Sequence, residues 1–537
     1  MSKKKTSAVF KSYNPDQLSL LPPSLDELIP SNHVVRLVRQ IIDQIDLSPL
    51  LAKYKGGGTS SFHPKVMLGI LIYGYLSNIY SSRKLEQAVQ SNIYFMWLCG
   101  MQRPDHNTIN RFRSQKLKGV LKQIFGQVVL LMVEAELVDI KQIYVDGTKL
   151  EANANKYTFV WGKSIAKSKE RIKKQLEELW SYAESVAKEE LMDNAPTTFE
   201  AIDAKKVSQT IDQINKALKD KPVDKKVKQK LNYAKKNWPK NLDKYEKQQE
   251  ILGDRNSYSK TDPDATFMRM KDDHMRNGQL KAGYNWQIST SGQYIVNYGM
   301  YQDATDFYTF TPHMNDYCSL YGHAPEVVVA DAGYGSEENY EYLAGQKIEA
   351  FVKYPGFHKE QKAKGKIKPR DTFKSSHLYY NETHDYFICP MGQKMSKLYE
   401  SKSKKKSGFI QVSSGYQAQR CEGCPLRGAC HNSKANRIIQ VNHNVKAHRK
   451  RARAQLVSQQ GLAHRSQRPV DVEAVFGNIK QNKKFTRFLL RGLEKVSIEA
   501  GLIALAHNLA KMAKQMTEKT PIDYLFSFLM PGPPLAL

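Results

Sequence analysis

The amino-acid sequence predicts a mixed α/β protein with helical additions, and two patterns support this class. Strand-like stretches rich in β-branched and aromatic residues cluster between positions 140 and 355: "IKQIYVDGTKLEA", "AGYNWQIST", "QYIVNYGMYQD", "EVVVAD" and "IEAFVKYP". Helical patterns precede these stretches and separate the last of them. Strands and helices in this order are typical of a sheet layered against helices.

Size and charge narrow the class of partner. The chain has 537 residues, more than one ordinary domain, and 82 Lys and Arg against 53 Asp and Glu give a formal net charge of +29. This excess indicates a polyanionic partner, with DNA or RNA ahead of an acidic membrane surface, although a basic soluble protein would share it. No secretory signal is visible, and the apolar runs at 66–76 and 500–507 are too short to span a bilayer. We therefore expect a cytoplasmic protein without a membrane partner.

The first predicted unit is a helical N-terminal DNA-binding domain at 1–135. "HPKVMLGILIYGYLSNIY" predicts a buried helix after Pro64, and "SSRKLEQAVQ" predicts a short amphipathic one. Asp105 is a candidate N-cap for the polar, basic helix "HNTINRFRSQKL". Short helices followed by a basic helix are typical of helix-turn-helix DNA readers, and also of many helical bundles. Arg111 and Arg113 are the candidate DNA contacts of this helix.

The remaining chain is predicted to form a core with two insertions. The core covers 136–355 and 466–515, and 516–537 is a C-terminal tail. Residues 163–250 are dense in Lys, Glu and Gln and predict a helical hairpin insertion with charged outer faces. Residues 356–465 form a basic insertion that contains a cluster of cysteines.

Three acidic residues are candidates for a common site. Asp146 and Asp331 each end a predicted strand and are closely followed by glycine, and the first strand is predicted to turn at Gly147. Neighbouring strands would bring the two carboxylates to one edge of the sheet. Carboxylate oxygens suit Mg²⁺ or Mn²⁺, and a two-metal site usually needs a third acid. Glu473 is that candidate, in "RPVDVEAVFGNIKQNKKF". Its helix carries an apolar stripe at i, i+3, i+4 and i+7, formed by Val472, Val475, Phe476 and Ile479. An ordinary amphipathic helix, or aspartates that only stabilise turns, would explain the same residues.

Three blocks resemble the catalytic blocks of bacterial insertion-sequence DDE transposases. They are "YVDGTKLEANANKYTFVWGKS", "VVVADAGYGSEENY" and "VEAVFGNIKQNKKFTRFLLRGLEKVSIEAGLIALAHNLAKM", in the order typical of the family. The resemblance implies an RNase H-like mixed sheet with flanking helices, an all-α N-terminal domain and a cysteine-bearing insertion. It implies Asp146, Asp331 and Glu473 as ligands of two Mg²⁺ or Mn²⁺ ions. It also implies Mg²⁺-dependent cleavage of transposon-end DNA and its joining to target DNA, with a homodimer bridging the terminal inverted repeats.

The resemblance also suggests residues that contact DNA. The family has a tyrosine-arginine-glutamate-lysine signature around the third acid, and the spacing from Glu473 to Lys480 matches it. Arg468 lies one residue further from Glu473 than is common, and position 465 is arginine rather than tyrosine. Lys480 is therefore better supported than Arg468 as a phosphate contact. Trp161 could stack on an unpaired base, although packing in the protein explains it as well. Asp262 and Asp264 are candidate ligands that a Pro-Asp turn explains without metal.

Four cysteines predict a structural zinc site in the second insertion. Cys421 and Cys424 form a Cys-x-x-Cys pair, and Cys389 and Cys430 could complete a tetrahedral set. His431 could replace Cys430, and free thiols in a reducing compartment are the alternative.

These observations favour a DNA transposase. A catalytically inactive DNA-binding protein derived from a transposase, or a stand-alone metal-dependent nuclease, would share parts of this sequence pattern. The three acids argue against the first alternative, and only a strand-joining assay separates the second.

Overall fold

The computed structural model describes residues 24–54, 61–187, 191, 199, 202–270, 278–362 and 372–519. The first part of the predicted N-terminal domain and the predicted tail beyond position 519 lie outside these ranges.

All the described secondary structure between Val34 and Glu134 is helical. They are α1 (Val34–Gln44), α2 (Ser48–Leu51), α3 (Pro64–Leu76), α4 (Ser82–Ser91), α5 (Ile93–Leu98), α6 (His106–Arg111) and α7 (Leu121–Glu134), with a π-helical turn at Phe112–Lys116. The buried helix predicted after Pro64 is α3, which starts with proline where the helix needs no backbone donor. Asp105 caps α6, as predicted, by accepting a hydrogen bond from the Thr108 amide at 2.8 Å.

A six-stranded mixed sheet follows, which confirms the predicted α/β class. Its strands are β1 (Gln142–Glu151), β4 (Thr266–Arg269), β5 (Leu280–Ser291), β6 (Tyr294–Tyr301), β7 (Val327–Ala330) and β8 (Glu349–Val352). The order is β4-β5-β1-β7-β8, and β6 also pairs with β5. β1, β7 and β8 are parallel, whereas β4, β5 and β6 add antiparallel pairs. Helices α11 (Phe310–Tyr321) and α12 (Glu337–Gly345) connect β6 to β7 and β7 to β8.

The sheet shares one hydrophobic core with helices from both ends of the chain. The last helix in the described ranges, α17 (Leu493–Lys519), packs on α1, α3, α7 and β6. Buried residues as distant as Val38 in α1 and Leu509 in α17 belong to the same cluster. We call this cluster the main core. The N-terminal helices and the sheet are therefore parts of one packed body.

The first insertion differs from the predicted hairpin because it contains three described helices. These are α8 (Gly162–Val186), α9 (Ala204–Ala217) and α10 (Lys225–Leu252), with the two-stranded sheet of β2 (Phe159–Trp161) and β3 (Ser257–Ser259) at their base. Asp203 and Asp224 cap the second and third helices through their side chains, which gives each its own start. A separate cluster that includes Leu176, Ile211 and Leu242 forms their core, which we call the insertion core.

The second insertion contains a five-stranded antiparallel sheet that the sequence analysis did not predict. Its strands are β9 (Tyr380–Asn381), β10 (Tyr386–Ile388), β11 (Lys394–Lys404), β12 (Ile410–Ala418) and β13 (Ile438–Val441). A short helix, α13 (Phe357–Lys362), precedes the sheet, and α14 (His443–Val457) and α15 (Gln459–Arg468) lead back to the main core. None of the helices in the described ranges is long and apolar enough to cross a membrane.

Candidate active site

Asp146 lies on β1, and Asp331 directly follows the neighbouring parallel strand β7. The β1–β7 register pairs Val145 with Ala330, so each aspartate is the next residue after this pair. Asp331 caps the short helical turn Ala332–Tyr334, and its Oδ1 accepts a hydrogen bond from the Gly333 amide at 2.8 Å. The expected convergence of the two carboxylates is thus present in the sheet register.

The surroundings of Asp146 differ from the prediction that the strand turns at Gly147. β1 continues to Glu151, and Gly147 pairs with Gln287 inside the sheet. A Cβ atom at Gly147 would lie 2.1 Å from Gln287 Nε2 and 3.0 Å from Asp306 Oδ1. Glycine is therefore required here for close packing beside the site.

Arg468 brings the three predicted acids together. Its Nη2 lies 3.2 Å from Asp146 Oδ2 and 3.8 Å from Asp331 Oδ2, and its Nη1 lies 3.6 Å from Glu473 Oε1. The arginine side chain is only 6% exposed, whereas the three carboxylate side chains are 8%, 38% and 60% exposed in the same order. The cluster is therefore closed on the Asp146 side and open to solvent on the Glu473 side.

A π-helical turn explains the unusual spacing between Arg468 and Glu473. After α15 the chain makes a π turn at Pro469–Glu473, then α16 (Ala474–Gly477) and a second π turn at Asn478–Asn482. A π turn repeats at i+5 instead of i+4, so residues at i and i+5 lie on one face. The extra residue that the sequence shows is absorbed by this turn. All four residues of the predicted apolar stripe are buried: Val472, Val475, Phe476 and Ile479.

Asp306 is a fourth carboxylate beside the site, and the sequence analysis missed it. Its Oδ1 accepts hydrogen bonds from Asn285 Nδ2 at 2.8 Å and from Gln287 Nε2 at 2.9 Å. Tyr334 donates its hydroxyl to Gln287 Oε1, which fixes the orientation of that amide. Burial raises the pKa of Tyr334 well above its ordinary value, and the carboxylates of Asp146, Asp306 and Asp331 add to the increase. Asp303 ends the predicted strand "QYIVNYGMYQD" and Asp306 follows three residues later, so the argument used for Asp331 could have indicated Asp306.

Two further cations near the site were also missed: Lys353 lies close to Asp331 and Glu473, and Arg465 lies close to Lys353. Lys353 follows the end of β8 and is buried, and Arg465 stacks its guanidinium on Phe357 at 4.9 Å. Burial lowers the pKa of Lys353, as do the nearby charges of Arg468 and Arg465, while Asp331 and Glu473 oppose the decrease. The site therefore combines carboxylates with a positively charged flank.

The donor chemistry of the three acids fits a hard divalent cation. Carboxylate oxygens are the ligands that Mg²⁺ and Mn²⁺ prefer. The Arg468 guanidinium already supplies positive charge at the point where the three carboxylates converge. In the described part of the chain, no group of three or more His, Cys, Asp or Glu side chains is arranged to hold a metal ion. The residues suit the metal chemically, and Arg468 is the cation that they contact here.

The predicted DNA contacts have different positions. Arg111 is exposed on α6, and Lys480 is half-buried on the second π turn after Glu473. Arg113 is 3% exposed, and its Nη1 donates to the Tyr75 hydroxyl at 3.1 Å and to the Tyr80 carbonyl at 2.7 Å. The expectation that Arg113 contacts DNA does not fit this position, because its guanidinium is enclosed in the main core.

Trp161 and the two runner-up aspartates take part in packing and capping. Trp161 is half-buried and contacts the Phe267 ring at 6.1 Å between centroids. Asp262 Oδ1 accepts from the Gly492 amide at 3.0 Å, and Asp264 Oδ2 accepts from the Leu493 amide at 2.8 Å. The aspartates thus satisfy backbone donors at the start of α17, a role that needs no metal. The predicted turn is present as well, since the Ala265 amide donates to the Asp262 carbonyl at 3.0 Å.

The four cysteines of the second insertion line one small cavity of about 20 Å³, together with His431 and Arg437. Arg437 Nη1 lies 2.9 Å from Cys430 Sγ. Both ring nitrogens of His431 are buried and have no hydrogen-bond partner in the described structure. Burial lowers the pKa of His431, and the nearby charges of Arg427 and Arg437 lower it further.

Two family models match the chain, and both describe transposase domains. Residues 23–115 match a transposase domain model, DUF772, and residues 388–513 match a transposase DDE domain model. The first match covers helices α1 to α6, and the second covers Glu473 and the four cysteines of the second insertion. No curated protein and no solved structure matches the chain. The two matches confirm the resemblance to insertion-sequence DDE transposases and support a transposase function with DNA as the partner.

Proposed function

We propose that the protein is a DNA transposase that cleaves transposon-end DNA and joins it to target DNA by two-metal-ion phosphoryl transfer. The observation that carries the proposal is the contact of Asp146, Asp331 and Glu473 with the single guanidinium of Arg468 at one edge of the sheet. A protein that only bound DNA would not need three acids around one buried point.

An RNase H-like core is part of the proposal. It is supported by the order β6-β5-β1-β7-β8, in which three strands are antiparallel neighbours and β1, β7 and β8 are parallel. The parallel strands direct their carboxyl ends to one edge, where ligands of open α/β sheets gather. The N-terminal helices would contact the transposon end, with Arg111 among the exposed cations.

Asp146, Asp331 and Glu473 would hold Mg²⁺ or Mn²⁺. Bound there, the cations would activate the attacking water or 3′-hydroxyl and stabilise the leaving oxygen. The protein's own contribution is orientation. The Gly147 amide holds Asp146 Oδ1, and the Gly333 amide holds Asp331 Oδ1, each at 2.8 Å. The Oδ2 atoms of both aspartates face Arg468 at the centre of the site.

DNA terminal repeats and target DNA are the proposed partners, and the net charge of +29 supports a polyanionic ligand. A homodimer would bridge two ends, with Lys480 and Arg468 near the reacting strand and Trp161 available to an unpaired base. Such a protein would act in the cytoplasm at the nucleoid.

The central experiment compares Asp331→Asn with Asp212→Asn. The first variant removes a proposed ligand, and the second removes the same charge from an exposed ion pair with Lys235 in the first insertion. We expect Asp331→Asn to abolish Mg²⁺-dependent cleavage of end DNA while binding persists, and Asp212→Asn to retain both activities. Robust cleavage by Asp331→Asn would refute the proposal.

The same assay separates the two alternatives. Wild-type protein that binds end DNA without cutting it would be an inactive, transposase-derived binder. Cleavage without joining to a target duplex would identify a stand-alone nuclease.

We also propose a structural zinc site made of Cys389, Cys421 and Cys424 with either Cys430 or His431. The shared cavity supports the site, and the unpartnered nitrogens of His431 favour it over Cys430, whose sulfur contacts Arg437. Metal binding would contribute to the folding of the second insertion. Loss of zinc should therefore destabilise this insertion and leave the three acids of the candidate active site unchanged.

Elemental analysis of purified, reduced protein tests the zinc site. We expect about one zinc per chain, retained in Cys318→Ser and lost in Cys424→Ser. Comparison of Cys430→Ser with His431→Gln identifies the fourth ligand. Wild-type protein without zinc would refute this part of the proposal and leave the catalytic part unaffected.

A further inference from the structure

Lys353 occupies the position beside Asp331 on the next parallel strand. The β7–β8 register pairs Ala330 with Val352, and the Lys353 amide donates to the Ala330 carbonyl at 3.2 Å. Lys353 therefore leaves β8 at the edge where Asp331 leaves β7. The loop after Asp331 packs closely on this segment, since a Cβ atom at Gly335 would lie 2.3 Å from the Lys353 carbonyl oxygen. The lysine backbone is thus held beside the candidate active site.

The Lys353 side chain is a buried cation that lacks a close anionic partner. It is 9% exposed, and within the described ranges its ammonium group forms no ion pair or side-chain hydrogen bond. The nearby Asp331 and Glu473 are instead paired with Arg468. Burying an ammonium without a counter-ion is unfavourable, so the position favours binding of an additional anion.

Neighbouring groups extend this positive flank. Arg465 lies close enough to Lys353 for its charge to lower the pKa of the lysine, as Arg468 also does. The Nε atoms of both arginines are buried and have no hydrogen-bond partner in the described structure. Three cations with unused donor capacity thus lie near one another: Arg468 contacts the carboxylates, Lys353 is close to Asp331, and Arg465 is close to Lys353.

We propose that the Lys353 ammonium binds a non-bridging oxygen of the scissile phosphate in transposon-end DNA. This inference rests on the proposed function, because it assigns a substrate contact to that same site. The diester bears one negative charge and would be the anion that the lysine lacks. A Lys ammonium is a compact charge that suits one phosphate oxygen. Its position beside Asp331 would direct the phosphate toward the proposed metal ligands.

The test combines a protein variant with a change in the DNA. Lys353→Gln is compared with Lys141→Gln, a lysine at the opposite end of the same strands whose exposed ammonium pairs with Glu326 at 3.3 Å. Binding of end DNA is measured at several salt concentrations without divalent cation. The DNA carries either a normal phosphate or a neutral methylphosphonate at the cleavage position, and cleavage of the normal DNA is measured with Mg²⁺.

We expect Lys353→Gln to reduce the cleavage rate roughly 10²–10³-fold, as does loss of other donors that stabilise a transition state. The slope of log K against log salt should fall by about 0.9 on normal DNA. On methylphosphonate DNA the variant should bind like wild type, because the phosphate charge is already absent. Lys353→Arg, which keeps the charge, should recover most of the salt slope, and Lys141→Gln should behave like wild type.

Two results would overturn the inference. If Lys353→Gln weakens binding equally on normal and methylphosphonate DNA, the lysine does not contact the scissile phosphate. If it cleaves at the wild-type rate, the contact is absent from the reaction. Wild-type protein that fails to cleave end DNA overturns the proposed function together with this inference, whereas normal wild-type cleavage with either result above overturns the inference alone.

Discussion

The main core is formed by segments that are far apart in the chain, whereas the insertion core is formed by consecutive helices. The main core joins α1, α3 and α7 from the start of the chain to the sheet and to α17 at its end. The insertion core is built by three helices that follow one another between positions 162 and 252. Local contacts suffice for the insertion, whereas the candidate active site depends on contacts between distant parts of the chain. The comparison predicts that a destabilising substitution in the main core affects distant parts of the chain, whereas one in the insertion core affects only the insertion.

The largest effect is expected at the buried polar contact between the chain ends. Arg113 on the N-terminal side donates to Tyr75, and the Tyr75 hydroxyl donates to Glu499 Oε1 at 3.2 Å in α17. Burial raises the pKa of Glu499, while Arg113 opposes the increase. Arg113→Met leaves this acid without its buried cation, and we expect a loss of roughly 3–5 kcal/mol in the free energy of unfolding. Urea denaturation measures the loss.

Arg111→Met is the matched control for that variant. Arg111 is exposed two positions earlier, so the same substitution should change the free energy of unfolding by less than about 0.5 kcal/mol. If Arg111 contacts a phosphate, the variant should bind DNA less tightly and show a salt slope lower by about 0.9. Equal stability of the two methionine variants would contradict the structural role of Arg113.

The next effect separates the two cores directly. Leu502 in the main core and Leu176 in the insertion core are both fully or nearly fully buried. Replacement of either by alanine should cost roughly 2–5 kcal/mol locally. We expect Leu502→Ala to increase hydrogen exchange across the sheet, α3 and α17. Leu176→Ala should increase it only between 162 and 252 and leave DNA cleavage intact.

Hydrogen exchange read by mass spectrometry tests this difference. Faster exchange of the sheet in Leu176→Ala would show that the two cores unfold as one unit, which would contradict their independence.

The third effect is a pH dependence that belongs to the main core. His507 in α17 accepts a hydrogen bond from Asn478 Nδ2 at its Nδ1 and donates from Nε2 to the Gln293 carbonyl, both at 2.9 Å, which requires the neutral ring. Burial lowers its pKa to about 4. In the unfolded chain the pKa of the same histidine is about 6.5, so between pH 6.5 and 4 the unfolded chain binds a proton that the folded protein does not. The free energy of unfolding therefore falls as the pH falls through this range, by up to roughly 3 kcal/mol.

Urea denaturation at pH 7, 5.5 and 4.5 checks this effect. His507→Gln should reduce the loss of stability on acidification, whereas His323→Gln, at an exposed position, should follow the wild type. An unchanged pH dependence in His507→Gln would rule out His507 as its source.

The features that sequence predicted well are those with a local pattern. The apolar run before Asp331 and the alternation before Asp146 predicted β7 and β1, and the spacing of Val472 and Ile479 predicted the buried face beside Glu473. Each pattern reflects burial along one element, which is independent of distant contacts.

The features that were missed depend on contacts between elements. Gly147 was interpreted as a turn, and it is instead a close approach to Gln287, a residue on another strand. Arg113 belongs to a basic helical segment of the kind that contacts DNA, which is why it was predicted to do so. Its guanidinium is instead buried beside Tyr75 and Glu499. The strands of the second insertion are short or polar on their exposed faces, as in β11, and alternate too weakly to be recognised. The roles of the predicted site residues in catalysis stay predictions.

The contact between α17 and the N-terminal helices also has a consequence for synthesis on the ribosome. The first helices emerge early, but the apolar surface they bury against α17 has no partner until α17 leaves the exit tunnel. At about 5–20 residues per second, synthesis of the more than 400 residues that separate α3 from the end of α17 takes roughly 20–90 s. Nascent chains must wait through that interval with the N-terminal surface uncovered, and prematurely terminated chains never cover it. Such fragments would be substrates for chaperones and proteases, so only chains that extend through α17 can complete the main core.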